Sequence, residues 1–125
     1  LDLTLEVVEL IRKLLFALEE NPHQLTIDGY DIEVVKYHAL LLIEAGFLDG
    51  KVSDTLVNTS VVPTHIFVNR LTWDGHEFLD NIRKDEVWNT IKSEFKDASV
   101  STIFNIGKEL AESYAKKKLR SILGE

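Results

Sequence analysis

Two histidines, His38 and His76, stand where a side chain could do chemistry. An imidazole can ligate a metal or act as a general base near neutral pH. A zinc site on a helix needs a second ligand three or four residues away on the same face. Leu41 and Leu42 follow His38 at that spacing, and Leu79 and Asp80 follow His76. Asp80 is the one acceptable partner, and a single His/Asp pair falls short of a metal centre. Both histidines are therefore expected to be structural. His38 should be hydrogen-bonded on the apolar face of a helix, and His76 should donate to a strand carbonyl and pin a helix to the sheet. His23 and His65 occupy loop or edge contexts and carry no signal.

Other catalytic groups are no better arranged. There is no cysteine, which removes a thiol nucleophile, a thiolate zinc site and a disulfide framework. The sequence holds no Gly-x-Ser-x-Gly, no glycine-rich phosphate loop and no paired metal-binding histidine motif. Its 21 acidic side chains fall into no recognisable acid/base pair. No catalytic residue, cofactor or metal is expected, and the chain is not expected to be an enzyme.

Charge is the more informative chemistry. Of 125 residues, 21 are Asp or Glu and 14 are Lys or Arg, a net charge of -7. Phosphate binding is driven mainly by Lys and Arg, so a general nucleic-acid binder is disfavoured. Residues 1–50 hold ten acids and three bases, whereas residues 51–84 and 85–125 are each balanced. Lys51, Arg70, Arg83 and Lys84 are the cations available to contact a phosphate backbone or a partner from the middle of the chain. Lys116, Lys117, Lys118 and Arg120 form a second group near the C-terminus, spread around one helical turn. That cluster complements a helix macrodipole. It also suits an acidic partner, and the negative N-terminal half of a second copy is one candidate.

These residues must be positioned by a small α+β domain, since at this length roughly two thirds of the unfolded chain's surface is buried. Leu3, Val7, Leu10, Ile11, Leu14 and Leu18 recur at helical spacing, with Val8 and Leu15 widening the apolar face. Asn21-Pro22-His23 ends that helix. Gln24 to Tyr30 reads as a short extended piece closed by Asp28-Gly29. A second helix is predicted from Asp31, its N-cap, to Ala45, with Val34, His38, Leu41 and Ala45 as its apolar stripe and Val35 and Leu42 beside it. Gly46 fits a left-handed C′ position, and Phe47 supplies the apolar contact after it. The helical period then stops. Asp49-Gly50 is a hairpin-type dipeptide, and Val57, Val61-Val62 and Ile66-Phe67-Val68 are strand formers, so two or three short antiparallel strands are expected, with Pro63 in a loop or on an edge.

Thr72 reads as the N-cap of a helix from Trp73 to about Lys84 that buries Phe78, Leu79 and Ile82. A further helix beginning at Asp85 places Val87, Trp88, Ile91 and Phe95 on one face. Ser99 or Ser101 caps a last helix to about Leu123, with Ile103, Ile106, Leu110 and Tyr114 in line and the line later shifting to Leu119 and Ile122. Trp73 and Trp88 are expected to pack in the core or between helices. No apolar run approaches the roughly 20 residues of a membrane span, and no stretch has the pattern of a signal peptide. The absence of methionine predicts that the product of the native start is trimmed or that the numbering begins inside it.

The order helix, short strand, helix ending in glycine, β-ribbon, helix is that of a winged helix. Tyr37-His38-Ala39-Leu40-Leu41-Leu42-Ile43-Glu44-Ala45-Gly46-Phe47 resembles the end of a recognition helix. Leu71-Thr72-Trp73-Asp74-Gly75-His76-Glu77-Phe78-Leu79 resembles the entry from the last wing strand into the closing helix. GYDIEVVKYHALLLIEAGF and RLTWDGHEFLDNIRKDEVW together resemble a family of small uncharacterised phage and prophage proteins catalogued as a domain of unknown function. The likeness covers roughly residues 5–95, is most specific from Leu71 to Asp80, and is less distinct after residue 95. It implies a winged-helix-like fold and a phage or mobile-element setting, and implies no activity.

A helix that reads a major groove needs Arg, Lys, Asn or Gln on its outer face. The second helix instead offers Asp31, Glu33, Lys36 and Glu44. With Asp28, the first two of these make an acidic interaction face. About ten residues separate Glu20 from Asp31, too few for the usual supporting helix and its turns. The expectation is a winged-helix-like domain over residues 1–84 and a helical extension over 85–125 that packs on it and can mediate self-association. Its role would be that of a non-catalytic cytoplasmic regulator of the phage or prophage type, working through protein contacts with itself or a host factor. The alternative is a DNA-binding transcriptional regulator using the wing and the C-terminal cations. His38, Gly46, Thr72, Trp73, Gly75, His76 and Trp88 are expected to serve the structure.

Overall fold

A computed structural model describes residues 5–124 of the chain; Leu3 lies outside the described residues. The elements are α1 (Leu5–Glu20), α2 (Ile32–Glu44), β1 (Leu48–Ser53), β2 (His65–Leu71), α3 (Trp73–Arg83), α4 (Asp85–Glu94) and α5 (Val100–Ile122). They divide into two compact units. One comprises Leu10–Glu77, and the other joins the first turns of α1, through Glu9, to the chain from Phe78 onward.

In the unit Leu10–Glu77, α1 buries Leu10, Ile11, Leu14, Leu15 and Leu18, the wide apolar face its sequence requires. The helix closes where Asn21 N–H donates to Ala17 at 2.9 Å. Gln24–Tyr30 forms no strand. Its backbone is used in turns instead, with Gln24 N–H bonded to Asn21 and Tyr30 N–H to Ile27, each at 3.2 Å. Those local bonds replace the ladder that a strand would need.

Helix α2 begins as its sequence predicts. Asp31 is extended at φ -63°, ψ 141°, and its carboxylate accepts from Glu33 N–H at 2.8 Å. It ends in a Schellman motif. Gly46 takes φ +85°, its N–H reaches Ile43 O at 3.1 Å, and Phe47 N–H reaches Leu42 O at 2.9 Å. The buried face is Val35, His38, Ala39 and Leu42, so the helix is rotated from the expected stripe toward the two residues flanking it. Val34 is 43% exposed and Ala45 is exposed. The unbroken apolar run Leu40–Ile43 allows either face, and packing of α2 on the β-ribbon selects one.

The sheet is a two-stranded antiparallel ribbon, β1 with β2. Asp49-Gly50 does not turn the chain; it lies within β1 beside an irregularity where Asp49 pairs with Arg70 and Gly50 with Val68. Asn69 is therefore the extra residue of a β-bulge. A bulge shifts the two-residue alternation by one. Ile66 and Val68 face inward before it and Leu71 after it, while Asn69 and Arg70 both stay exposed. The chain reverses through the 54–64 loop instead. Val57, Val61 and Val62, read as strand formers, belong to that loop, as does Pro63.

Helix α3 is capped by Thr72, whose hydroxyl oxygen accepts from Gly75 N–H at 3.1 Å. Trp73, expected in the core, is 81% exposed. It is the first residue after the cap, and the buried face of α3 starts two positions later at Gly75. His76 does not reach a strand carbonyl; its Nδ1 lies 3.8 Å from Glu19 on α1.

In the unit containing Phe78 onward, Phe78, Leu79 and Ile82 are buried with Val87, Trp88 and Ile91 of α4, and α4 packs on α5. Ser99 rather than Ser101 caps α5, accepting from Thr102 N–H at 3.2 Å. The buried line of α5 is Ile103, Gly107 and Ala111. Gly107 belongs to it because the helix approaches Ile82 and Ile91 there. Ile106 and Leu110 are half-buried, and every residue from Glu112 to Gly124 is exposed. The 23-residue helix is about 34 Å long, so its last three turns stand uncovered.

Candidate functional site

Three surfaces gather the residues that could act on a partner. The first is the 54–64 loop, ordered by a single carboxylate. Asp54 Oδ1 accepts from Thr55 N–H at 2.9 Å, Asn58 Nδ2 at 2.6 Å, Thr64 N–H at 3.2 Å and Thr64 Oγ1 at 2.9 Å. The Asn58 side chain first, then the Thr64 hydroxyl, hold the acid below its ordinary 3.8, at about 2. Hydrogen bonds that stabilise the charged form lower an acid's pKa in this way. Asn58 extends the network, donating to Val62 O at 2.8 Å and accepting from Ser60 N–H at 2.9 Å. The Lys36 ammonium ties the loop to α2 through Thr64 O at 2.9 Å.

What this network presents is apolar. Leu56 is fully exposed, Val57 is 85% and Val61 is 79% exposed, while Val62 is buried beneath them. On the outer face of β2, His65 and Phe67 stack with ring centroids 6.1 Å apart, and Phe67 is more than half exposed. By residue type these valines are strand formers, and Leu56 carries no signal of its own. The available signal was the polar set Asp54, Thr55, Asn58, Ser60 and Thr64 around them, which is the composition of side chain-stapled turns.

Lys51 and Arg70 lie on the two strands of the ribbon itself. Arg70 Nε lies 3.9 Å from Asp49 Oδ2 across the strands, and its Nη1 donates to Leu71 O at 3.0 Å. Lys51 is exposed opposite Phe67. Arg83 lies 3.4 Å from Asp80, the carboxylate considered as a metal partner for His76. Among the described residues, no three His, Asp or Glu side chains gather as a metal site.

The second surface is the start of α2. Asp28, Asp31 and Glu33 are all exposed there, and Ile32 is 45% exposed between them. Asp31 spends one carboxylate oxygen on its cap, and Glu33 lies 3.6 Å from Lys36. His38 belongs to the opposite face. It is buried, and its Nδ1–H donates to Val34 O at 2.8 Å, the structural role its sequence context implies.

The third surface brings together cations that lie 33 residues apart in sequence. Lys84, Lys117 and Lys118 line a groove of about 550 Å³ with Glu86, Tyr114 and Ser121. The Tyr114 hydroxyl is 3.3 Å from Thr90 Oγ1, which steadies the ring at the groove wall. Lys116 and Arg120 face elsewhere, sharing a shallower depression with Glu109 and Glu112. The C-terminal cluster is thereby split into an unbalanced cationic side and a neutral one. Trp88 is buried, as expected, with the Lys92 ammonium 5.8 Å from its ring centre.

The family described as hypothetical protein DUF2513 matches residues 7–101. An uncharacterized protein of Haemophilus influenzae is 34% identical over 119 residues, covering 89% of this chain and 95% of that protein. No solved structure matches. No helix among the described residues is long and apolar enough to cross a membrane.

Proposed function

From the premise that this chain belongs to the DUF2513 family of hypothetical proteins, a family description that carries no activity, we propose a non-catalytic interaction module. It acts in the cytoplasm through protein contacts as a regulator of the phage or prophage type. The order α1, α2, β1, β2, α3 and the two resembling sequence strings support a winged-helix reading in which the ribbon is the wing. The observation that carries the functional reading is the exposed apolar tip, Leu56, Val57 and Val61, held out by the Asp54 network. An exposed apolar patch on an ordered scaffold is a feature of protein-binding sites. Contact with a phosphate backbone would call for cations at that position. The helix that would enter a groove adds Asp31, Glu33 and Glu44 against Lys36, which repels phosphate.

Two measurements test this. Mixed-sequence duplex DNA titrated at increasing salt should show no tight, steeply salt-dependent binding; finding it would favour a DNA-binding regulator. Affinity capture from host extract should retain a protein that the L56S/V57S/V61S variant loses while keeping its circular dichroism spectrum. Equal retention by both proteins would remove the tip from the function.

A further inference from the structure

We propose that the groove lined by Lys84, Lys117 and Lys118 receives the acidic start of α2 from a second copy of the chain. This rests on the protein-contact reading and names one partner for it. The groove holds three ammonium groups against one carboxylate, Glu86. It opens on the part of α5 where every residue from Glu112 to Gly124 is exposed, including Ile122 at 71%. Ile122 follows Ser121, which lines the groove, and lies one helical turn from Lys118. Lysine stems can themselves cover apolar surface while their heads stay charged.

The complement is on the same chain. All of the net negative charge lies in residues 1–50, and at the start of α2 the exposed acids Asp28, Asp31 and Glu33 alternate with the half-exposed Ile32 and Val34. Three cations meet acids interleaved with aliphatics, so electrostatics favours the pairing and the lysine stems can cover Ile32 and Val34. In a two-fold dimer, the contact would occur twice by symmetry. A phosphate polymer fits less well, because Glu86 sits in the groove and none of the forked arginines suited to phosphate lines it. Tyr114–Ser121 also lie beyond residues 7–101, the stretch the family model matches.

Light scattering on the full chain tests the proposal. The wild-type protein at about 50 μM should be dimeric at about 50 mM salt and move toward monomer as salt screens the contact over the range of a few Debye lengths. The groove reversal K84E/K117E/K118E and the face reversal D28K/E33K, which spares the Asp31 cap, should each weaken dimerisation about tenfold or more. Both should keep the wild-type circular dichroism spectrum. Mixing the two variants should restore association, because each then offers the charge that the other lacks. A monomeric wild-type protein would overturn the proposal, as would reversed variants that stay dimeric, or folded reversed variants that fail to associate when mixed. None of these results touches the apolar tip, whose role is read separately by capture with L56S/V57S/V61S.

Discussion

The Thr72 hydroxyl donates to the carbonyl of Gly46 while accepting from the N–H of Gly75. Gly46 is the left-handed residue that ends α2, and Thr72 is the cap that begins α3, 26 residues later. Thr72 N–H also donates to Phe47 O at 3.0 Å. One residue therefore latches the exit of one helix to the entry of another, across the base of the ribbon. Thr72→Ala should cost about 1–2 kcal/mol, the loss of a cap together with a bond to a helix-end carbonyl. Thr72→Ser, which keeps the hydroxyl, should recover most of it. Urea unfolding of the two variants makes the comparison.

Gly75 and Gly107 should respond in opposite ways to alanine. A Cβ on Gly75 would collide with the Phe47 carbonyl, a backbone atom of this same latch. Gly75→Ala should therefore destabilise by about 1–3 kcal/mol, despite alanine's helix preference. At Gly107 the nearest atom to an added Cβ is Ile82 Cγ2 at 3.5 Å, an ordinary contact. Gly107→Ala should be neutral or stabilise by up to about 1 kcal/mol. Denaturation midpoints decide both.

The loop network should be sensitive to acid. Folding lowers the Asp54 pKa from 3.8 to about 2, so its contribution is fully present above the unfolded value and is lost as pH falls from 3.8 toward 2. The Asp54 carboxyl carbon followed by NMR should titrate near pH 2, and the Asn58 side-chain amide should shift with the same midpoint. A midpoint near 4 would mean that the four donors do not hold the carboxylate in solution. Asp54→Ala should disorder the tip and so weaken whatever the tip binds.

The two tryptophans should separate cleanly. Trp73 is 81% exposed and Trp88 only 6%. Acrylamide should quench the Trp73 emission readily in a Trp88→Phe background, and should quench Trp88 poorly in a Trp73→Phe background. Trp73→Ala should change stability by within about 0.5 kcal/mol, whereas Trp88→Ala should cost about 3–5 kcal/mol.

Much of the chain was legible one residue at a time. Asp31, Gly46, Thr72 and Ser99 mark helix ends because capping acts over three or four residues and needs no distant partner. His38 was legible for a similar reason, since its partner is the Val34 carbonyl one turn away. The failures share a cause as well. Residue type places Trp73, and helical spacing places the stripes of α2 and α5, but a helix with apolar residues on several sides buries whichever face a neighbour covers. The Asp49-Gly50 dipeptide has hairpin chemistry, yet the ribbon ladder runs through it and reversal falls to the 54–64 loop.

By itself the sequence determined the five helix positions to within a turn, the caps Asp31, Gly46 and Thr72, and the confinement of negative charge to residues 1–50. These depend on local backbone chemistry and on counting. Tertiary structure alone decided that Leu56, Val57 and Val61 stand in solvent and that Lys84 shares a groove with Lys117 and Lys118. It also decided that the bulge at Asn69 turns Leu71 inward. Burial and proximity are properties of pairs of elements. No periodicity within one element can specify which of its faces meets another, or which distant cation arrives beside it.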